Sequence, residues 1–97
     1  MGKLRPPQNI ELAVRMYYEN ISLKNSDIKS LFGIRSNKTV SRYKSEVIQY
    51  FSGTDIDPVH RDNTLDTWRA YEAWGIDISE LEKRLAKIKR LEKLLAQ

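Results

Sequence analysis

Apolar residues recur at three- and four-residue steps along almost the whole chain, and that spacing constrains the fold more than any other feature. Such steps line one face of an α-helix, which turns through about 100° per residue. No segment of convincing length alternates apolar and polar residues in the manner of a half-buried strand. The spacing therefore predicts an all-α protein whose helices are separated by glycine and cap residues. Ninety-seven residues give room for one small domain, or for a small domain plus an extension.

Five helices are expected. The first covers about residues 9–19, with Ile10, Ala13, Val14, Tyr17 and then Ile21 as its stripe and Pro7 just ahead of it. The second opens at Ser26 as cap, carries Ile28, Leu31 and Phe32, and stops at Gly33. The third follows Ser36 or Asn37 and reaches about Phe51. Its apolar face is Val40, Tyr43, Val47 and Phe51; the opposite face is Lys38, Arg42, Ser45 and Gln49, with Ser41 beside them.

Residues 52–62 read as a turn-rich linker with one helical turn at Asp57-Pro58. A fourth helix is expected from Asn63 to Trp74, ended by Gly75. The fifth, Ile78 to Leu95, has the clearest start signal. Asp77 is its cap, Glu80 completes a capping box, and Ile76 and Leu81 form a hydrophobic staple. Residues 1–8 read as a flexible basic arm, whose Lys3 and Arg5 could reach a neighbouring groove.

Composition removes several classes of function. There is no cysteine and one histidine, His60, so thiol chemistry, disulfides and His- or Cys-based metal clusters are not expected. Asp55, Asp57, Asp62 and Asp66 read as turn and cap residues, without the spacing of a calcium loop. No nucleophile elbow or glycine-rich phosphate loop occurs, so no enzyme, no cofactor and no small-molecule ligand are expected. The chain has no 18-residue apolar run and no leader-like start, which gives a cytoplasmic address and no membrane partner as the expectation.

Charge is uneven. Residues 1–52 carry nine basic and four acidic groups, residues 53–77 two basic and six acidic, and residues 78–97 six basic and three acidic. Two basic blocks thus flank an acidic spacer, and the first block coincides with the first three helices. A clustered positive field in a small chain suits a polyanionic partner.

The segment Ser26–Tyr43 joins a short helix bearing Ile28, a Phe32-Gly33-Ile34 turn, a Ser36 or Asn37 cap and the anchor Val40. Over residues 9–51 it resembles the helix-turn-helix DNA-binding superfamily, and in size and composition the small regulators of bacteriophages and mobile elements. Lys29 stands where the motif usually has a small residue, and the turn is one residue longer than the commonest form, as in winged and resolvase-like variants. The resemblance implies a three-helix unit whose third helix enters the major groove of double-stranded DNA. Arg35, Ser36, Asn37, Lys38, Ser41, Arg42, Lys44, Ser45 and Gln49 are the candidate DNA contacts. Arginine can fork onto guanine and glutamine onto adenine, and a helix N-terminus favours phosphate.

The fifth helix is expected to assemble copies of the chain, a homodimer by preference, through Leu81, Leu85, Ile88, Leu91 and Leu95; Glu92 interrupts the seam. Residues 9–51 would then be the DNA-reading domain and 63–97 the helical assembly region of a small transcriptional regulator. The alternatives are a small terminase-like packaging factor, an excisionase-like recombination factor, or a protein-interaction module without DNA affinity.

Overall fold

The computed structural model describes residues 5–96. It is mostly helical. The order is α1 (Ile10–Glu19), β1 (Ser22–Leu23), α2 (Asn25–Phe32), α3 (Asn37–Tyr50), β2 (Leu65–Asp66), α4 (Thr67–Trp74) and α5 (Ile78–Leu95). Among the described residues no helix is long and apolar enough to cross a membrane.

The caps explain most helix boundaries. Asn9 accepts the Leu12 N–H, Ser36 the Thr39 N–H, Asp66 the Arg69 N–H, and Asp77 the N–H groups of Ser79 and Glu80. Each satisfies a backbone donor that the first helical turn leaves free. Gly33 and Gly75 end α2 and α4 in the left-handed conformation. The N-terminal caps of α2 and α5 differ in detail from expectation. Helix α2 begins at Asn25 rather than after Ser26, because the Asp27 carboxylate accepts the Lys24 N–H at 2.9 Å. At α5 Asp77 caps as expected and Ile76 and Leu81 are both buried, but the Glu80 carboxylate bonds to Arg84 rather than closing the box.

The largest correction concerns residues 52–66. They were expected as a linker running into a helix at Asn63, but they fold back as a hairpin. Val59 bridges Leu65, the His60 N–H bonds to the Thr64 carbonyl at 2.8 Å, and Asn63 turns the chain at φ 68°. The far side of β2 pairs antiparallel with β1, Ser22 opposite Asp66 and Leu23 opposite Leu65. Asp57 does not start a helical turn; its carboxylate accepts the Val59 N–H. Two-residue strands are too short to show alternation, and asparagine tolerates a positive φ better than most residues.

One core holds everything together. Ala13, Met16, Leu23, Ile28, Leu31, Val40, Val47, Phe51, Leu65, Tyr71, Trp74, Ile76 and Leu81 form a single buried cluster. Residues 63–81 therefore complete the core of the first three helices instead of forming a separate assembly region. Helix α4 is the tie. The Tyr71 hydroxyl donates to the Ala13 carbonyl in α1 at 2.7 Å, and the Trp74 indole N–H to the Tyr43 carbonyl in α3 at 3.3 Å. Phe32 meets Trp74 and Tyr43 edge to face. Burial pushes the Tyr71 hydroxyl well above the ordinary tyrosine range. Ile21, expected on the α1 stripe, lies beyond the helix and is 83% exposed.

Candidate nucleic-acid interface

Helix α3 is fixed from behind. Val40 and Val47 are fully buried, Tyr43 is half-buried, and Phe51 closes the C-terminal end. A helix pinned along one face must present the other. Lys38, Ser41, Arg42, Ser45 and Gln49 are all exposed, as are Arg35, Ser36 and Asn37 at the N-terminal end. Eight of the nine sequence candidates thus share one open surface. The ninth, Lys44, is half-buried on the flank. Its ammonium donates to the Asn25 side chain at 3.3 Å and to the Asn63 carbonyl at 3.1 Å. It therefore ties α3 to α2 and to the hairpin turn.

The face is free of acidic side chains for a structural reason. Glu46 is the one carboxylate in α3, and Arg5 covers it. The guanidinium donates from Nε to Glu46 at 3.1 Å, makes a second bond to the same carboxylate, and stacks over the Tyr43 ring at 4.3 Å. The Glu46 hydrogen bonds raise Arg5 above its ordinary value against the opposing desolvation. The Arg5 N–H also bonds to the Trp74 carbonyl, and the Gln8 N–H to the Leu31 carbonyl. Residues 5–8 are therefore strapped across the ends of α2 and α4 rather than forming a free arm, and Arg5 is not available to reach a groove. Lys3 lies outside the described residues.

Two further residues stand beside this surface. Ile48, 48% exposed, lies next to Ser41 and Ser45 on the α3 face. Arg61 is exposed on the hairpin turn that Lys44 holds against α3. The polar pattern drew attention to donors and so passed over Ile48. Arg61 was hidden because the hairpin itself was not legible. The acid next to it, Asp62, is turned onto the Thr64 hydroxyl and N–H, and those bonds hold its carboxyl below the usual range.

The proposed assembly residues divide. Leu81 is buried against the rest of the chain, and Leu85 is half-buried, so the first half of α5 packs on α1 within one copy. The Tyr18 hydroxyl bonds to Glu82 and Lys89 reaches Glu11 at 4.0 Å along the same contact. Ile88 is partly open, and Leu91, Leu94 and Leu95 are open to solvent. Leu81 is thereby withdrawn from any surface between copies. Among the described residues no group of histidine or carboxylate side chains could hold a metal ion. The chain matches no protein-family model, and neither a curated protein nor a solved structure is significantly similar to it.

Proposed function

We propose that the protein binds double-stranded DNA through a helix-turn-helix of the winged kind, as a small, dimeric transcriptional regulator. The outer face of α3 carries the reading: a continuous row of donors, with its one neighbouring carboxylate neutralised by Arg5. Arg35, Ser36, Asn37 and Lys38 surround the free N–H groups of the α3 N-terminus, a setting that favours phosphate and sets register. Arg42 would fork onto guanine, Gln49 onto adenine, and Ser41 and Ser45 would bond bases or phosphates; Ile48 suits a thymine methyl.

The order helix, strand, two helices and a strand–turn–strand hairpin supports the winged variant. In it Arg61 would be a second, hairpin-borne contact beside the reading helix. The longer turn between α2 and α3 agrees with that variant.

Selection of bound sites from random duplexes tests the reading. The expected product is a pair of half-sites, about one helical turn apart or a multiple of it. Binding to it should fall steeply with salt, because each neutralised phosphate releases counterions. No binding at low salt to random or genomic DNA would falsify it and favour a protein-interaction module. A solution mass of eight or more copies would favour the packaging alternative.

A further inference from the structure

Among the described residues, two of the surfaces open to solvent complement each other. The first is the distal half of α5. At about 100° per residue, Leu91, Leu94 and Leu95 share a face roughly a quarter turn from the Leu81–Leu85 face that packs on α1. Leu91 is 59%, Leu94 60% and Leu95 84% exposed. Lys87 and Arg90 flank this patch, and neither enters an ion pair among the described residues.

The second surface is a cleft between the 55–57 segment, α4 and the first turn of α5. Its apolar floor is Ile56, Ile76 and Ile78, and its wall is Trp68, which is 65% exposed and stacked on Tyr17. Its rim is acidic: Asp55, Asp57, Asp66, Glu72 and Asp77 against one cation, Arg69.

We propose that the cleft receives the distal α5 of a second copy of this chain. A basic, apolar helix end matches an acidic, apolar-floored cleft in both charge and chemistry. The occupant cannot be the same chain's own tail. Helix α5 starts at the cleft, with Ile78 and Ser79 lining it, and Leu91 stands about 20 Å further along a continuous helix. Each copy offers one tail and one cleft, so two copies about a two-fold axis satisfy both and close the assembly. The proposal rests on the reading of distal α5 as the assembly element and specifies what it meets; it does not rest on DNA binding.

The test is light-scattering mass of the full chain without DNA over a concentration series. The expected wild-type result is a dimer. Lys87→Glu/Arg90→Glu, which reverses the tail, and Asp55→Lys/Glu72→Lys, which cancels the rim's excess of acid, should each associate roughly tenfold or more weakly, since the charge attraction is then reversed or lost. All four positions are exposed, so both variants should keep wild-type circular dichroism and melting at low concentration. Mixing the two variants should restore a heterodimer, because the native tail of one then meets the native acidic rim of the other, and the acidic tail meets the rim that carries the two introduced lysines. As a second readout, indole emission should shift to the blue as wild-type concentration rises, and the shift should vanish in Trp68→Phe. A wild-type chain monomeric at all concentrations overturns the proposal while leaving the α3 reading untouched. A rim variant that dimerises like wild type, or a mixture that stays monomeric, overturns it in favour of direct α5–α5 pairing.

Discussion

Helices α3 and α5 are the two long helices of the molecule, and each carries an apolar face along most of its length. Their fates differ. The α3 face is covered from Val40 to Phe51 by α2, α4 and the aromatic cluster, so its polar face is held in a fixed direction. The α5 face is covered at Leu81 and Leu85 and is open at Leu91, Leu94 and Leu95. Amphipathic spacing tells which side of a helix is apolar. It does not tell how much of the chain remains to cover it. A reading surface needs the first condition and an assembly surface the second.

Trp74→Ala should break the α3 half of this contrast most severely. Trp74 is fully buried, meets Phe32 edge to face and donates to the α3 carbonyl of Tyr43. Truncating a buried aromatic costs about 3–5 kcal/mol. A domain of this size has about 5–15 kcal/mol in total, so urea unfolding should show a large loss of midpoint. A midpoint close to wild type would show that α3 is not held by α4.

Arg42→Ala should leave the fold intact and cost about 1–3 kcal/mol on a selected DNA site, with one base preference relaxed. Its side chain is exposed and holds no carboxylate, so stability should stay within about 0.5 kcal/mol. Titration of the variant against the selected site and its single-base changes measures both. Unchanged affinity would remove Arg42 from the interface. Arg5→Ala tests the same face indirectly. It uncovers Glu46, so DNA affinity should fall even though the Arg5 side chain is spent on Glu46, and Arg5→Ala/Glu46→Gln should recover it.

Much of the helical layout was legible in the sequence because local chemistry decides it. Ser36, Asp77, Gly33 and Gly75 act within one turn of the chain, and the stripes of α3 and α5 need only their own residues. The exposure of the α3 candidates followed for the same reason, since a helix with one apolar face must show the other. What was hidden depends on partners distant in sequence. Leu23 reads as a residue between helices and Leu65 as a residue of the fourth helix until they pair across two-residue strands. Arg5 reads as a free arm cation until it meets Glu46, 41 residues away. Lys44 reads as a phosphate contact until the hairpin supplies the Asn63 carbonyl. The acids of the cleft all lie in the acidic 53–77 stretch, but that the stretch folds around Ile56, Ile76 and Ile78 is not visible in its charges.

A smaller effect comes from Tyr71, which links α1 to the α4 tie. Its hydroxyl is buried and its pKa is raised, so the folded state favours the neutral form. The contribution is fully present below the ordinary tyrosine pKa of about 10 and is lost as pH rises beyond it. Tyr71→Phe should cost about 1 kcal/mol at neutral pH, by removing one hydrogen bond to the Ala13 carbonyl. It should also make the alkaline limb of stability against pH shallower than in wild type. Equally steep limbs in the two proteins would mean that another group governs alkaline unfolding.

The smallest effect should come from the uncovered end of α5, and its dependence on concentration is the informative part. In an isolated copy Leu91 and Leu94 touch little, so Leu91→Ser/Leu94→Ser should change the unfolding free energy of the dilute chain by no more than about 0.5 kcal/mol. A second copy bound to the native state alone adds stability by mass action. The wild-type melting temperature should therefore climb with protein concentration, while that of the variant stays level. Equal slopes would mean that the distal leucines meet nothing, and that α5 differs from α3 only in being longer than its core. A variant destabilised even when dilute would mean instead that the chain covers its own tail, and the contrast between the two helices would disappear.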